Sequence, residues 1–228
     1  MGRAIVERLA DAGFDIAFTY LNSERNSQEV VNDLNARGRE CLSVKADLTD
    51  PSIAAATIGD AVTKRFGRLD VLVNSASLYL PADLAHAELG PSRKMWAIHV
   101  ESPMLLCQRF APMLRSAKGH VVNMVDLLVE RPMPGYLPYS ASKGGLWSLT
   151  LGLARELAPE VTVNGIAPGV VEWPEGYPQS DKEKYLKRVP LGRAGTPQDV
   201  ADAVHFLCTR GGYITGQVLR LDGGRSIT

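Results

Sequence analysis

Leu69–Asn74 reads LDVLVN, and Ser75–Ser77 continues it as SAS. A short apolar run closed by an amide and small residues is the pattern of a strand buried on both faces of a parallel sheet. The same kind of run recurs along the chain. DIAFTY ends at Tyr20, CLSVKAD at Asp47, GHVVNM at Met124, VTVNGIA at Ala167 and GQVLRLDGG at Gly224. Helical patterns fall between them. They cover Arg3–Ala12, stopped by Gly13, then about Ser27–Arg37, stopped by Gly38, and Pro51–Phe66. They resume at about Ser92–Ser116, with a bend expected at Pro103, then in a helix reaching about Leu157, and at Thr196–Cys208 opened by Thr196 and Pro197. Strands alternating with helices predict an α/β protein, a doubly wound parallel sheet covered on both faces in three layers. One domain over residues 1–228 is expected, with the irregular stretch 170–188 as a mobile substrate flap.

Composition excludes several classes of function. The chain has 228 residues, 45% hydrophobic and 22% charged, as in an ordinary globular protein. Lys plus Arg is 25 and Asp plus Glu is 25, so no polyanion-binding surface is expected and nucleic acid is excluded as a main partner. No apolar run approaches the roughly 18 residues that span a bilayer, and MGRAIVERLADAG has neither the apolar core nor the cleavage site of a signal peptide. Cys41, Cys107 and Cys208 lie far apart, which predicts buried free thiols and a cytoplasmic protein. His86, His120 and His205 lack ligand spacing, so no metal is expected.

The chemistry concentrates at predicted strand ends. In doubly wound sheets ligands bind beyond the carboxyl ends of the strands. Those ends supply Tyr20, Asn22 and Ser23, then Asp47 and Leu48, Asn74, Ala76 and Ser77, Met124 and Asp126, and Pro168, Gly169 and Val170. Tyr139 and Lys143 stand four apart in YSASK, on one face of a helix. An ammonium beside a phenol favours the phenolate and suits the tyrosine to proton transfer. Asp126, in NMVD, precedes Tyr139 by 139 − 126 = 13 residues and offers a carboxyl group to the same site. Alone, YxxxK is more often an ordinary helix pair and such an aspartate more often a cap.

Together these motifs resemble the short-chain dehydrogenase/reductase family over essentially the whole chain. NSAS at Asn74 is similar to its NNAG motif, YSASK to its catalytic motif, VNGIAPG to its strand-six motif, and ITGQVLRLDGG to its closing strand. Within the family the chain most resembles the pteridine reductases, which carry NMVD where most relatives have a serine and place an aromatic residue after the NNAS-like motif. Tyr79 matches that aromatic. The resemblance implies a Rossmann-type fold and NADPH-dependent reduction of dihydropterins, extending to oxidised pterins and dihydrofolate. Tyr139 would donate or relay the proton, Lys143 would hold the nicotinamide ribose, Asp126 would join the relay, and Tyr79 would stack on the pterin. Trp173, in the flap, is a further substrate-contact candidate. The cofactor is expected to be NADP(H): TYLNS ends the first predicted strand without an acid, leaving Asn22 and Ser23, with Arg25 nearby, for a 2′-phosphate. A homotetramer is implied by the family.

Two departures qualify the match. The family opens with a strand and a glycine-rich phosphate turn. This sequence begins at the last glycine of that turn, Gly2, so a missing first strand, two exposed strand edges and weakened cofactor binding are expected. His99 stands where the family often has an asparagine that bends the long helix and supports a water chain to the lysine. Two other readings stay open: a carbonyl reductase acting on an acyl thioester or small ketone, and a truncated, non-catalytic Rossmann binding protein.

Overall fold

The computed structural model describes residues 1–228 apart from Pro174 and Glu175. In chain order the elements are α1 (Gly2–Asp11), β1 (Ile16–Tyr20), α2 (Glu24–Ala36), β2 (Cys41–Lys45), α3 (Pro51–Arg65) and β3 (Val71–Asn74). These are followed by α4 (Leu89–Trp96), a π-helical turn (Ala97–Glu101), α5 (Ser102–Ala117), β4 (His120–Met124), α6 (Leu137–Glu156), β5 (Thr162–Pro168), α7 (Gln179–Leu186), α8 (Pro197–Thr209) and β6 (Val218–Leu221). All strand pairs are parallel.

Helices cover both faces, as the alternation requires. Consecutive β4 residues point to opposite sides: Val122 joins a core with Ile5 and Leu9 of α1, Leu34 of α2 and Val204 of α8. Val121 joins the opposite core with Ile58 of α3, Phe110 and Leu114 of α5 and Val163 of β5. This period of two lets one apolar strand serve two cores. Two helices open on side-chain caps, Thr196 where the sequence places it and Asp50 as a further one. Asp50 accepts from the Ile53 amide at the start of α3, and Thr196 and Asp199 form a reciprocal capping box on α8. Cys41, Cys107 and Cys208 are buried free thiols, and no helix of the described residues is long and apolar enough to cross a membrane.

Some expectations are met and others corrected. First, the strands form two sheets, β1–β2 and β3–β4–β5–β6, with the two open strand edges that the sequence predicts. Between the facing edges of β1 and β3 lies a cavity of about 910 Å³, lined by Ile5, Leu9, Phe18, Val71, Val73 and Phe110 among others. Because of it, Val71–Asn74 are only half-buried, not enclosed on both sides. Second, the long helix is interrupted by the π-helical turn holding His99, and Pro103 follows in the first turn of α5, where proline is tolerated. Third, the flap carries its own helix, α7, braced by Lys184–Asp181 and Gln179–Glu183 pairs.

The cavity has a measurable signature. The Ile16 amide donates to Glu40, Ala46 donates to Tyr20, and His120 donates to Asp70. Parallel pairing alternates, so the amides of Ala17, Thr19, Val71 and Val73 face the cavity while those of Phe18 and Leu72 face β2 and β4. Hydrogen exchange is expected to run at least about tenfold faster at the first four than at Phe18 and Leu72. Equal protection would contradict open edges.

Candidate active site

α6 is built to present two side chains to the end of β4. Leu137 and Pro138 open it, and Pro138 lies in the first turn. Tyr139 and Lys143 follow on one face, both buried. The Lys143 Nζ donates to the Met124 carbonyl at 2.7 Å and lies 5.9 Å from the Tyr139 ring centroid. A second chain of bonds holds α6 to the sheet: Asn74 donates to Asn123 (2.8 Å), Asn123 to the Thr150 hydroxyl (2.9 Å), and Thr150 to the Leu146 carbonyl (2.7 Å). Gly145 permits the close approach of α4, because a Cβ there would lie 2.8 Å from Val100 and 3.0 Å from the Trp96 ring.

Asp126 does both things its position allows. One carboxylate oxygen accepts from the Leu128 amide at 2.8 Å and caps the short helical turn Leu127–Val129. The other accepts from the Tyr139 hydroxyl at 2.7 Å. The cap fixes the rotamer, and the fixed rotamer aims the second oxygen at the phenol. Burial, then the Asp126 charge and this hydrogen bond, push Tyr139 well above the ordinary phenol range, with Ser77 opposing the shift. Tyr139 therefore rests as a phenol with its proton held toward Asp126. The expectation that Lys143 would favour the phenolate is corrected here. The lysine's nearest polar partner is a backbone carbonyl, and burial lowers its own pKa to about 8, with Asp126 partly offsetting.

The aromatic candidate Tyr79 is 42% exposed and meets Tyr139 edge-on at 4.7 Å. One of its faces is taken: Tyr136 stacks on it at 4.5 Å and 14°. Trp173 packs instead within the flap, on Tyr177 at 5.1 Å and Tyr185 at 5.4 Å. Tyr185 in turn accepts from the Val170 amide at 3.3 Å, tying α7 to the end of β5.

The remaining candidates divide by what their polar atoms are doing. Tyr20 ends β1, and Asn22 and Ser23 are exposed beyond it; Ser23 caps α2 without spending its hydroxyl on the cap. Ala76 and Ser77 follow β3 in a loop, and Pro168 ends β5 with Gly169 and Val170 beyond. Gly2 opens α1, and a Cβ on it would meet open space. By contrast, Asp47 is committed to the Thr49 amide (2.9 Å) and hydroxyl (2.7 Å), the Leu48 carbonyl accepts from Ser102 at 2.9 Å, and the side-chain nitrogen of Asn74 is spent on Asn123. His86, His120 and His205 are partnered by Asp83, Thr162 and Arg8.

Sequence reasoning missed Tyr136, Ser142 and Tyr185. Tyr136 was findable, since it directly precedes the first turn of the helix that carries Tyr139. Ser142 and Tyr185 gave no signal, because their partners are 43 and 15 residues away in the chain.

These features define a reductase-type α/β site. A family model described as enoyl-(acyl carrier protein) reductase matches residues 1–226. The chain is 32% identical to the 3-oxoacyl-(acyl-carrier-protein) reductase FabG of Staphylococcus aureus, covering 98% of this chain and 93% of that protein. It is 30% identical to pteridine reductase 1 of Leishmania tarentolae, covering 100% of this chain and 93% of that protein. Among solved structures, a blue fluorescent protein from a metagenomic library in complex with NADPH superposes with a TM-score of 0.92 at 32% identity, over 98% of this chain and 92% of that one. A Serratia marcescens short-chain dehydrogenase/reductase double mutant gives 0.91 at 32% identity, over 99% and 93%. The chain belongs to the short-chain dehydrogenase/reductase family. It is an oxidoreductase of that family with a Rossmann-like fold.

Proposed function

We propose that this protein is an NADPH-dependent pteridine reductase, reducing a ring C=N bond of a dihydropterin, with dihydrofolate as a second substrate. The observation that carries the reading is the 2.7 Å bond from the Tyr139 hydroxyl to Asp126. Reducing a C=N bond requires a proton at nitrogen. A phenol kept protonated beside a carboxylate is a general acid with a built-in route for its own recovery. Asp126 holds that proton in line, and after the transfer its carboxylate can take a proton from solvent water and pass it to the phenolate. Tyr79, backed by Tyr136, offers an exposed aromatic wall for a planar heterocycle.

The residues fit a dinucleotide. The first-turn amides of α1 have no side-chain cap, so they remain available to an anion. No acid stands at the end of β1, and exposed Asn22 and Ser23 suit a 2′-phosphate, which favours NADP(H). Lys143 is placed to hold a ribose, with Asn74 to Ser77 and Pro168 to Val170 bordering the rest. When bound, the cofactor supplies the hydride. Arg25 pairs with Glu29 at 3.3 Å and is a weaker candidate than the sequence suggests. A homo-oligomer, tetrameric as the family resemblance implies, would cover the exposed Met104 of α5, Leu151 of α6 and Leu219 of β6; a monomer by sedimentation would contradict it.

Lys143 gives the reading a pH dependence. Its pKa lies near 8 because burial disfavours the ammonium, so the group discharges as pH rises through that value. If the charged form holds the ribose, kcat/KM falls above about pH 8. In Lys143→Arg, charged throughout, the limb is expected to move upward by more than about one pH unit, whatever the absolute rate. A limb that stays in place assigns the titration to another group.

The relatives acting on acyl-carrier-protein substrates favour a second reading, reduction of an acyl-thioester ketone. Asp126 argues against it, because a carbonyl oxygen is polarised well by a neutral hydroxyl and poorly by a carboxylate. The test follows NADPH oxidation with dihydrobiopterin, dihydrofolate and acetoacetyl thioester, alongside NADPH fluorescence. Turnover confined to the thioester would refute the pterin reading. Absence of NADPH binding would refute both and leave a non-catalytic binding protein.

A further inference from the structure

Tyr79 sits within a segment pinned at both ends. At its start, the Leu78 amide donates to His99 Nε2 at 3.2 Å, and the Ser77 hydroxyl lies 2.9 Å from the same atom. A backbone amide only donates, so Nε2 presents its lone pair and the ring carries its proton on Nδ1. Nδ1 donates to the Ser142 hydroxyl at 2.8 Å, and Ser142 donates to the Tyr139 carbonyl at 2.7 Å. The start of the segment is thereby tied to α6 through a side chain that is 1% exposed.

At the far end, the Ala82 amide donates to the Gly135 carbonyl at 2.7 Å, and Ala82 pairs with Tyr136 in an isolated parallel bridge. Gly135 takes φ +82°, where glycine is favoured, immediately before Tyr136. Tyr136 is the residue on which α6 opens, and its carbonyl accepts from the Ser140 amide at 2.9 Å. Its main chain is therefore fixed by the helix as well as by the bridge.

Between these anchors one ring holds another. Tyr136 stacks on Tyr79 with centroids 4.5 Å apart and planes 14° apart, and Tyr139 stands perpendicular to Tyr79 at 4.7 Å. A tyrosine ring on a loop ordinarily turns about two side-chain bonds. A near-parallel ring on one face and a perpendicular one beside it leave Tyr79 a single plane. Tyr79 still stays 42% exposed, so its plane is set before any ligand arrives.

We propose that Tyr136 is a specificity-determining residue that acts through Tyr79: by fixing the plane of that ring beside Tyr139, it makes the site select a planar fused heterocycle over a flexible acyl chain. A flat ligand meets a wall already oriented and gains ring-to-ring contact without the entropy loss of ordering it. An acyl chain has no plane to match, so a turned ring serves it as well as a fixed one. The inference rests on the reading of the protein as a pterin reductase. Tyr136 is a positioning residue in it and takes no part in proton transfer.

Tyr136→Leu removes the ring and keeps the main-chain bonds, whereas Tyr136→Phe keeps the ring. In Tyr136→Leu, KM for dihydrobiopterin is expected to rise roughly 5- to 30-fold with kcat within about threefold of wild type. Affinity for acetoacetyl thioester, read as KM or as inhibition of pterin turnover, should change less than about twofold, and Tyr136→Phe should behave as wild type. Tyr79→Ala should raise the dihydrobiopterin KM at least as much, and the double variant should be no worse than Tyr79→Ala alone. Additive losses, a loss confined to kcat, or an equal loss of affinity for both substrates would overturn the proposal. A second readout needs no turnover. In protein labelled with meta-fluorotyrosine, the Tyr79 signal, assigned by its loss in Tyr79→Phe, should carry the ring-current shift of a stacked neighbour. Tyr136→Phe should keep that shift and Tyr136→Leu should abolish it; a Tyr79 signal indifferent to Tyr136→Leu would refute the stack. If wild-type protein reduces no pterin, the reductase reading fails and takes the selectivity with it. Pterin turnover with an unchanged KM in Tyr136→Leu refutes the role of Tyr136 alone.

Discussion

Tyr139→Phe is expected to lower kcat for dihydropterin reduction by roughly 10²- to 10⁴-fold, the usual contribution of a positioned proton donor. The substitution removes one oxygen. That oxygen donates to Asp126 at 2.7 Å and is the only atom of the ring able to pass a proton. The ring itself is retained, so its edge contacts with Tyr79 and His99 persist and the fold should be undisturbed. NADPH affinity is expected to change by less than about threefold, since Lys143 keeps its bond to Met124. Fluorescence titration and initial rates on the same preparation check both statements. A kcat within about tenfold of wild type would remove Tyr139 from the proton path.

Asp126→Ser is expected to cost pterin reduction at least about 100-fold in kcat while sparing NADPH binding. Serine can still cap Leu127–Val129, so the loop survives. What disappears is the carboxylate oxygen facing Tyr139. Hydrogen bonds to a charged acceptor are worth about 1.5 to 3 kcal/mol, so the phenol loses both its anchor and the group through which a solvent proton would return to it. With that carboxylate gone, the Tyr139 pKa should fall back toward the ordinary phenol value, because two of the three largest causes of its upward shift are Asp126. The pH profile of the residual activity should move accordingly. Unchanged kcat would refute the relay role of Asp126.

Much of the fold was legible before any coordinates. Strand and helix positions came through because they follow local rules: short apolar runs, Thr196 as a helix opening, Gly13 and Gly38 as stops. The pairing of Tyr139 with Lys143 was legible for the same reason, the two being four residues apart on one helix. Asp126 was legible from its place at a strand end thirteen residues before Tyr139, and the resemblance tied it to pterins; its dual use as cap and acceptor required the geometry. Other features were hidden because they depend on distant pairings. A bend of the long helix was expected at Pro103 on local propensity, whereas the helix is interrupted by a π-helical turn at His99, whose ring meets Ser142 across 43 residues of chain. The lysine's influence on Tyr139 was overestimated because sequence spacing fixes proximity but not direction. The ammonium turns to Met124, and Asp126 wins the phenol.

The central claim is that Asp126 makes this site a reducer of C=N bonds in pterins. The most direct measurement is the ratio of kcat/KM for dihydrobiopterin to that for acetoacetyl thioester, taken on wild-type protein and on Asp126→Ser. The ratio is expected to favour the pterin in wild type and to fall by at least about 100-fold in the variant. A wild-type ratio favouring the thioester, or a ratio untouched by the substitution, would contradict it.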